Sequence, residues 1–229
     1  MDKELYQKIE NYMLSCMSDS VHDCQHIYRV LYMALDIGKK LNIDRSVLIA
    51  ASLLHDIGRD AEYNDSSLDH AVVGANMAYE FMIELGWEET RANHVKECII
   101  THRYRTDLPP ESIEAKILFD ADKLDISGAV GIARTLQFGG IISEPLYSVD
   151  SDGRVLDGSE KDENSFFNIV NNKLLKLENK LYTDRAKEIC RERKSMCINF
   201  YEGMFKEVSN IHNDGIKLLQ SFIDTEDKS

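Results

Sequence analysis

The chain has 229 residues, of which 43% are hydrophobic and 29% are charged, so it can bury the core of one large domain. Its formal net charge of −13 argues against polymeric nucleic acid as a partner, because such an interface requires clustered Lys and Arg. No apolar stretch is long enough to span a bilayer, and the N-terminal residues lack a signal-peptide core. We therefore expect a cytoplasmic protein without membrane contacts.

Residue usage favours an all-α fold. Only three prolines occur, while Leu, Ile, Ala, Glu and Lys are abundant, and no run of alternating β-branched residues indicates a strand. The five cysteines lack C-x-x-C spacing, which is typical of reduced thiols that pack between helices. We predict a single compact helical domain that spans residues 1–229.

The first two predicted helices cover residues 3–17 and 21–41. The second carries His26 on a face shared with Arg29 and Val30. An isolated histidine in such a position is more often a hydrogen-bonded core residue than a ligand. Its role therefore depends on what other segments bring to it.

The most informative segment is a histidine and an aspartate, His55 and Asp56, at the end of a strongly apolar run. Residues 47–54 predict a buried helix, with Asp44 as its N-cap and an end near Gly58. A buried carboxylate must be neutralised, paired or bound to a cation. A divalent metal ion is the simplest partner for this pair.

Two further histidines lie near predicted helix ends. Residues 68–85 predict a helix that ends at Gly86 and has His70 in its first turn. The next helix leads to His102, which Arg103 follows. Spacing alone does not assign either histidine a role.

Another predicted helix begins near Pro110 and reaches an acidic cluster. Asp120 and Asp122 are two residues apart, so they point in different directions on a helix and only one should bind a given ion. Lys123 is adjacent and is either a phosphate contact or a partner of a nearby carboxylate.

The last third of the chain predicts a long polar loop near residues 139–165, either a mobile flap or a disordered segment. Two amphipathic helices follow, over residues 166–182 and 184–211. Their apolar stripes are more typical of core packing than of a cofactor site.

Three separate helices thus offer an ordered set of metal ligands. The set is His26, His55 with Asp56, and Asp122. Mixed imidazole and carboxylate donors suit Mn²⁺, Fe²⁺, Mg²⁺ or Zn²⁺, and such ions bind four or more ligands.

This set resembles the HD-domain superfamily of metal-dependent phosphohydrolases. Longer segments carry the resemblance further and are similar to a small stand-alone branch that includes nucleoside triphosphate pyrophosphohydrolases. These segments are residues 51–59, 101–103, 120–125, 128–134 and 173–177, with Thr183 and Arg193. One position departs from the branch pattern, because Ser165 stands where a histidine is common.

The resemblance implies an HD-domain helical bundle with a core of about residues 21–138, on which helices within 166–224 pack. It selects Asp122 rather than Asp120 and implies that His26, His55, Asp56 and Asp122 hold one divalent ion. Mn, Fe, Mg, Ni, Co and Zn are all compatible with these donors. A second ion is an alternative that would involve the other histidines.

The remaining roles follow from the same resemblance and from charge. His70 and His102 either complete a second metal site, or contact phosphate or orient ligands, or protonate the leaving group, or have a purely structural role. Asp56 is the candidate general base. The candidate phosphate-binding residues are Arg29, Arg59, Lys123 and Arg103.

The sequence therefore predicts a phosphohydrolase that acts on a small phosphorylated molecule, a nucleotide first of all, with pyrophosphate release from a nucleoside triphosphate as the specific reaction. The enzyme alternatives are a nucleoside monophosphatase, a cyclic-nucleotide phosphodiesterase and a guanosine polyphosphate hydrolase. A non-catalytic nucleotide-sensing module and, more remotely, a di-iron oxygenase are alternatives from other classes. A homodimer is compatible with the sequence.

Overall fold

The computed structural model describes residues 1–17, 24–103, 108–160 and 164–226. Within these ranges the chain is helical, and the β structure amounts to an isolated bridge between Val149 and Val155. The all-α prediction is therefore confirmed.

The helices of the described ranges are numbered in chain order. They are α1 (Lys3–Cys16), α2 (Cys24–Gly38), α3 (Arg45–Leu54), α4 (Arg59–Asn64), α5 (His70–Glu84), α6 (Glu89–Ile100), α7 (Ile113–Leu124), α8 (Gly128–Ile141), α9 (Phe166–Ile169) and α10 (Asp184–Glu226). A π-helical turn (Val170–Leu174) and a 3-10 turn (Leu177–Lys180) lie between α9 and α10.

The chain divides into two compact units. The first consists of residues 1–125 and 181–187 and contains α1 to α7. The second consists of residues 126–180 and those after 187, and contains α8, α9 and most of α10. The arrangement of residues 1–229 as one domain stays a prediction.

Helix α3 is the centre of the first unit, where it packs against α1, α2, α5, α6 and α7. Its apolar residues, among them Leu48, Leu53 and Leu54, are completely buried. Asp44 caps its N-terminus by accepting hydrogen bonds from the backbone N–H groups of residues 46 and 47, as the sequence predicts. Because α3 is buried along its length, the residues that follow it lie inside the unit.

Two glycines allow α4 and α5 to approach each other closely. A Cβ atom on Gly58 would overlap the carbonyl oxygen of His70 and lie 2.6 Å from the backbone nitrogen of Gly74. Since these are backbone atoms, no side chain can move aside to make room. The contact places the short helix α4 beside the start of α5.

The second unit has its own apolar core. It is formed by Ile132, Phe166, Phe167, Val170, Leu174 and Cys197, with Tyr201, Met204 and Phe205 packed against it. Of the predicted polar loop 139–165, the first residues belong to α8, which continues to Ile141. The side-chain amides of Asn168 and Asn171 donate to the backbone carbonyls of Gly158 and Asp157, so this part of the loop is anchored.

Three predicted helices have different bounds in the structure. The helix predicted over 166–182 is wrong, because α9 gives way to the π-helical and 3-10 turns. Asparagines in this segment are weak helix formers that use their amides to hold the loop. The helix predicted to end at 211 continues to Glu226, since Gly215 costs only about 1 kcal/mol in a helix interior. The helix predicted over 21–41 is Cys24–Gly38, and its predicted start lies outside the described residues.

The structure also bears on the expectations of reduced thiols and of a chain without membrane contacts. All five cysteines are free thiols, and Cys98, Cys190 and Cys197 are buried. Across the described helices, none combines the length and the apolar character needed to cross a bilayer.

We expect Gly58→Ala to lower the free energy of unfolding by about 1–3 kcal/mol, because its Cβ has no room between α4 and α5. Gly203→Ala is the matched control: Gly203 lies in α10, where an added Cβ meets no atom within 4 Å. This control should be neutral or stabilise by up to about 1 kcal/mol. Urea unfolding of the two variants measures both values, and equal stability would contradict the close contact.

Candidate metal centre

Imidazole and carboxylate groups converge at one place inside the first unit. His55 and Asp56 follow the C-terminus of α3, while the other side chains come from α2, the start of α5, the end of α6 and α7. The converging residues are His26, His55, Asp56, His70, His102 and Asp122. The four histidines and Asp56 are all buried, with at most 6% of each residue exposed.

One group of ligands surrounds the Nε2 atom of His26. This atom lies 3.4 Å from His55 Nε2, 3.5 Å from Asp56 Oδ2 and 3.4 Å from Asp122 Oδ1. His55 Nε2 is in turn 3.6 Å from Asp56 Oδ2. The four residues predicted as metal ligands are therefore brought together around one point.

A second group uses the other oxygen of the same aspartate. Asp56 Oδ1 lies 3.3 Å from His70 Nε2 and 3.6 Å from His102 Nε2. The rings of His55 and His102 are adjacent, with centroids 5.2 Å apart. Asp56 is thus shared by two neighbouring sets of donors.

The two inner histidines are oriented by backbone carbonyls. His55 Nδ1 donates to the carbonyl of Ser52 at 2.8 Å, and His102 Nδ1 donates to the carbonyl of Ile99 at 2.6 Å. A carbonyl only accepts, so each Nδ1 carries the proton and each Nε2 presents its lone pair to the cluster. Both carbonyls belong to the last turn of a helix, where they are accessible to the side chain that follows.

The two outer histidines are oriented by carboxylates. His26 Nδ1 lies 2.7 Å from Asp125 Oδ2, and Asp125 also accepts from Arg29 at 2.7 Å. His70 Nδ1 lies 2.6 Å from Glu62 Oε2. A carboxylate that holds the far nitrogen of an imidazole is a common support for metal-binding histidines.

The geometry and the donor types fit a divalent cation. Ligand atoms about 2.1 Å from one ion, at octahedral or tetrahedral angles, lie about 3.0–3.4 Å from each other. The separations of 3.3–3.6 Å between the donor atoms of the cluster are close to that range. Asp56 Oδ1 and His70 Nε2 are buried without a hydrogen-bond partner, which a cation would supply. Two groups of three residues each have ligand atoms that all lie within 4.8 Å of one another. These groups are His26, His55 and Asp56, and Asp56, His70 and His102.

The pKa shifts of these groups show that the Asp56 carboxylate is ionised and that the carboxylates around His26 stabilise positive charge on its ring. Burial lowers the pKa of His26, but hydrogen bonds to Asp122, Asp125 and Asp56 outweigh it and raise the pKa to about 11. Burial opposes ionisation of Asp56, yet the neighbouring His55 and Arg59 hold its pKa well below the usual value. For His55, burial dominates and lowers the pKa to about 4, which leaves a neutral imidazole.

The four predicted phosphate-binding residues lie around this cluster in two arrangements. Arg59 Nε donates to Asp56 Oδ2 at 2.6 Å, and Lys123 Nζ donates to Asp122 Oδ2 at 2.9 Å. Arg29 contacts Asp125, and Arg103 contacts Glu62. The first pair touches the candidate ligands themselves, whereas the second pair touches the carboxylates behind them.

Asp120 has a different partner set from Asp122. Its carboxylate accepts hydrogen bonds from the backbone N–H groups of Tyr182 and Thr183 and from the Thr183 hydroxyl, at 2.6–2.9 Å. It therefore anchors the segment before α10 rather than facing the histidines.

Comparisons with known proteins agree with this geometry. The model of the HD domain family matches residues 24–127, which include every residue of the cluster. The protein YpgQ of Bacillus subtilis is 32% identical over 218 residues, which cover 91% of this chain and 97% of YpgQ. This chain belongs to the HD superfamily of metal-dependent phosphohydrolases.

Solved structures of HD proteins share the fold. The crystal structure of Bacillus subtilis YpgQ in complex with ADP matches with a TM-score of 0.69 and 30% identity, and covers 89% of this chain and 95% of that one. An HD-superfamily hydrolase from Bacillus thuringiensis matches with a TM-score of 0.68 and 29% identity, over 90% of this chain and 97% of that one.

Sequence reasoning misses the two carboxylates that orient the outer histidines of this HD site. Neither Asp125 nor Glu62 is among the candidate site residues that the sequence predicts. A signal exists for Asp125, because it lies three residues after Asp122 on the same helical face. Glu62 carries no such signal, since its contact with His70 depends on how α4 meets α5.

The pair Asp120 and Asp122 gives a direct test of the site. We expect Asp122→Asn to weaken Mn²⁺ binding about 10-fold or more, while Asp120→Asn leaves Mn²⁺ binding unchanged. Asp120→Asn should instead lower the free energy of unfolding by about 1–3 kcal/mol, because it weakens three hydrogen bonds, of which the two to Thr183 are buried. Isothermal titration calorimetry and urea unfolding separate the two effects. Weaker Mn²⁺ binding by Asp120→Asn would contradict the assignment.

Proposed function

We propose that this chain hydrolyses a phosphoanhydride bond of a nucleotide, and that the specific reaction is release of pyrophosphate from a nucleoside triphosphate. The observation that carries the proposal is the shared carboxylate of Asp56, with one oxygen facing His26 and His55 and the other facing His70 and His102. Two adjacent sets of donors around one bridging carboxylate suit chemistry on a charged phosphate group.

Two cation positions follow from these donors. His26, His55, Asp56 and Asp122 would hold one divalent ion, and Asp56, His70 and His102 would hold a second. Bound divalent ions supply charge for the phosphate oxygens and lower the pKa of water toward neutrality. Among the ions that suit the donors, we propose Mn²⁺.

The basic residues beside the ligands provide the phosphate contacts. Arg59 and Lys123 have partly exposed side chains, 39% and 23%, and their charged ends lie at Asp56 and Asp122. From there they are placed to neutralise oxygens of a transferred phosphoryl group. Arg29 and Arg103 contact Asp125 and Glu62, the carboxylates behind the candidate ligands, and their predicted phosphate contact stays a prediction.

The orientation of His70 and His102 bears on their role in proton transfer. Both direct Nε2 toward Asp56, and an Nε2 lone pair that binds a cation cannot also deliver a proton to a leaving group. We favour the cation role because Nδ1 of each ring faces a hydrogen-bond acceptor, Glu62 for His70 and the Ile99 carbonyl for His102. Proton delivery by these histidines, and base catalysis by Asp56, stay predictions.

The nucleotide part of the proposal is supported by the relative YpgQ, whose crystal structure contains ADP. In the proposed reaction water attacks the α-phosphorus, the bond from that phosphorus to the bridging oxygen breaks, and pyrophosphate leaves. A nucleoside monophosphatase would use the same donors but would release orthophosphate. The cytoplasmic location and the homodimer also stay predictions.

The test is a nucleotide hydrolysis screen on protein stripped of metal with a chelator and reloaded with Mn²⁺. We expect nucleoside monophosphate and pyrophosphate from at least one triphosphate, and loss of turnover by at least about 100-fold in His55→Ala and Asp56→Ala. His212→Ala is the matched control, because His212 lies in α10 and bonds to Tyr147 in the second unit. Circular dichroism checks that each variant keeps its helices.

Two outcomes would replace the proposal. Orthophosphate as the sole phosphate product from monophosphates would identify a nucleoside monophosphatase. Tight nucleotide binding by the Mn²⁺-loaded protein without turnover of any nucleotide would identify a sensing module.

A further inference from the structure

His26 and His70 are each oriented by a carboxylate that also contacts an arginine, but the two carboxylates differ in burial. His26 is held by Asp125 with Arg29, and His70 is held by Glu62 with Arg103. In each case the carboxylate lies between the imidazole and the guanidinium and contacts both. The predicted phosphate role of Arg103 does not account for this arrangement.

We propose that Glu62 is a positioning residue that fixes the orientation and tautomer of His70, and that Glu62 with Arg103 thereby controls binding of the second cation, at Asp56, His70 and His102. This inference rests on the second cation position of the proposed function. It assigns Glu62 no contact with substrate.

The first argument is the position of the proton on His70. Glu62 Oε2 lies 2.6 Å from His70 Nδ1, and Glu62 Oε1 accepts from Arg103 Nη1 at 2.9 Å. A carboxylate paired with a guanidinium is ionised and can only accept, so the proton of His70 is on Nδ1. The lone pair on Nε2 then faces Asp56 Oδ1, 3.3 Å away.

A second contact of Arg103 competes with this arrangement. Arg103 Nη1 also lies 2.8 Å from His70 Nδ1, a distance compatible with a hydrogen bond if that nitrogen were unprotonated. Arginine has no acceptor, and the carboxylate is nearer to Nδ1 than the guanidinium is. We therefore conclude that His70 Nδ1–H and Arg103 both donate to Glu62. If Nδ1 were unprotonated, its lone pair would face the carboxylate at 2.6 Å, and the two would repel each other.

The second argument is that the two supports differ in burial. Asp125 directly follows α7 and its side chain is 2% exposed, whereas the side chain of Glu62 is 25% exposed. Glu62 lies on α4, a helix of six residues, none of which is buried. Less packing holds Glu62 than Asp125, so the second cation position should be the weaker one and should fill after the first.

A purely structural salt bridge is the competing explanation. In that case the pair of Glu62 and Arg103 would join α4 to the residues after α6 and would contribute to stability without acting on cations. The two explanations differ in what metal titration reports, because only the positioning role changes the second cation position and leaves the first unchanged.

The experiment is titration of the metal-free chain of 229 residues with Mn²⁺, by calorimetry and by elemental analysis after dialysis. Electron paramagnetic resonance adds the spin coupling that two adjacent Mn²⁺ ions produce. The variants are Glu62→Gln, Glu62→Ala and Asp125→Asn. Glu80→Gln is the matched control, since Glu80 is an exposed residue of α5, the helix that begins with His70.

We expect two Mn²⁺ ions per chain in the unsubstituted protein and in Glu80→Gln, with the coupled signal. Glu62→Gln should raise the dissociation constant of the second ion about 10-fold and Glu62→Ala up to about 100-fold, with the first ion unchanged. Asp125→Asn should weaken the first ion instead. Thermal unfolding in the presence of chelator checks that each variant folds.

Two results would overturn the inference. Two ions bound with unchanged affinity in Glu62→Ala would show that the salt bridge is structural, and the proposed hydrolase function would stand. A single Mn²⁺ ion in the unsubstituted protein would remove the second cation position itself, and the inference with it, while turnover in the hydrolysis screen still decides the function.

Discussion

The arrangement of the site depends on the burial of Asp56. A carboxylate that is 2% exposed must be compensated, and in this chain four imidazoles and the guanidinium of Arg59 surround it. The imidazoles can present lone pairs only if their Nδ1 atoms donate elsewhere, so each needs an acceptor on its outer side. The fold provides these four acceptors. Because they hold the Nδ1 atoms, the Nε2 atoms of the histidines are free to bind a cation.

The acceptors come from two sources with different physical origins. His55 directly follows α3 and His102 lies two residues after the end of α6, and each donates to the carbonyl three residues earlier, at Ser52 and Ile99. Each carbonyl lies in the last turn of the helix that precedes its histidine, so the chain obtains the orientation of His55 and His102 from local structure alone. His26 and His70 lie within helices, at positions where no spare carbonyl is available, and depend on carboxylates from other segments.

This difference explains how much the sequence could predict. The helix over residues 47–54, its cap Asp44 and the all-α class follow from local patterns, and the structure agrees. His26 and Asp122 needed the family resemblance, because nothing local distinguishes Asp122 from Asp120. Glu62 was missed, since its place depends on the glycine contact between α4 and α5. The π-helical turn was missed because asparagines there bond to a distant loop.

Local charge balance reconciles an acidic chain with an anionic ligand. Four carboxylates contact the cluster histidines, and each also contacts a basic side chain: Asp56 with Arg59, Asp122 with Lys123, Asp125 with Arg29 and Glu62 with Arg103. These acidic and basic groups balance each other, whatever the formal net charge of −13 on the whole chain. Any divalent cation that replaces the proton of His26 therefore leaves an excess of positive charge, and that excess lies in a buried region where screening by solvent is weak. An anionic phosphate is attracted to this local excess rather than repelled by the chain.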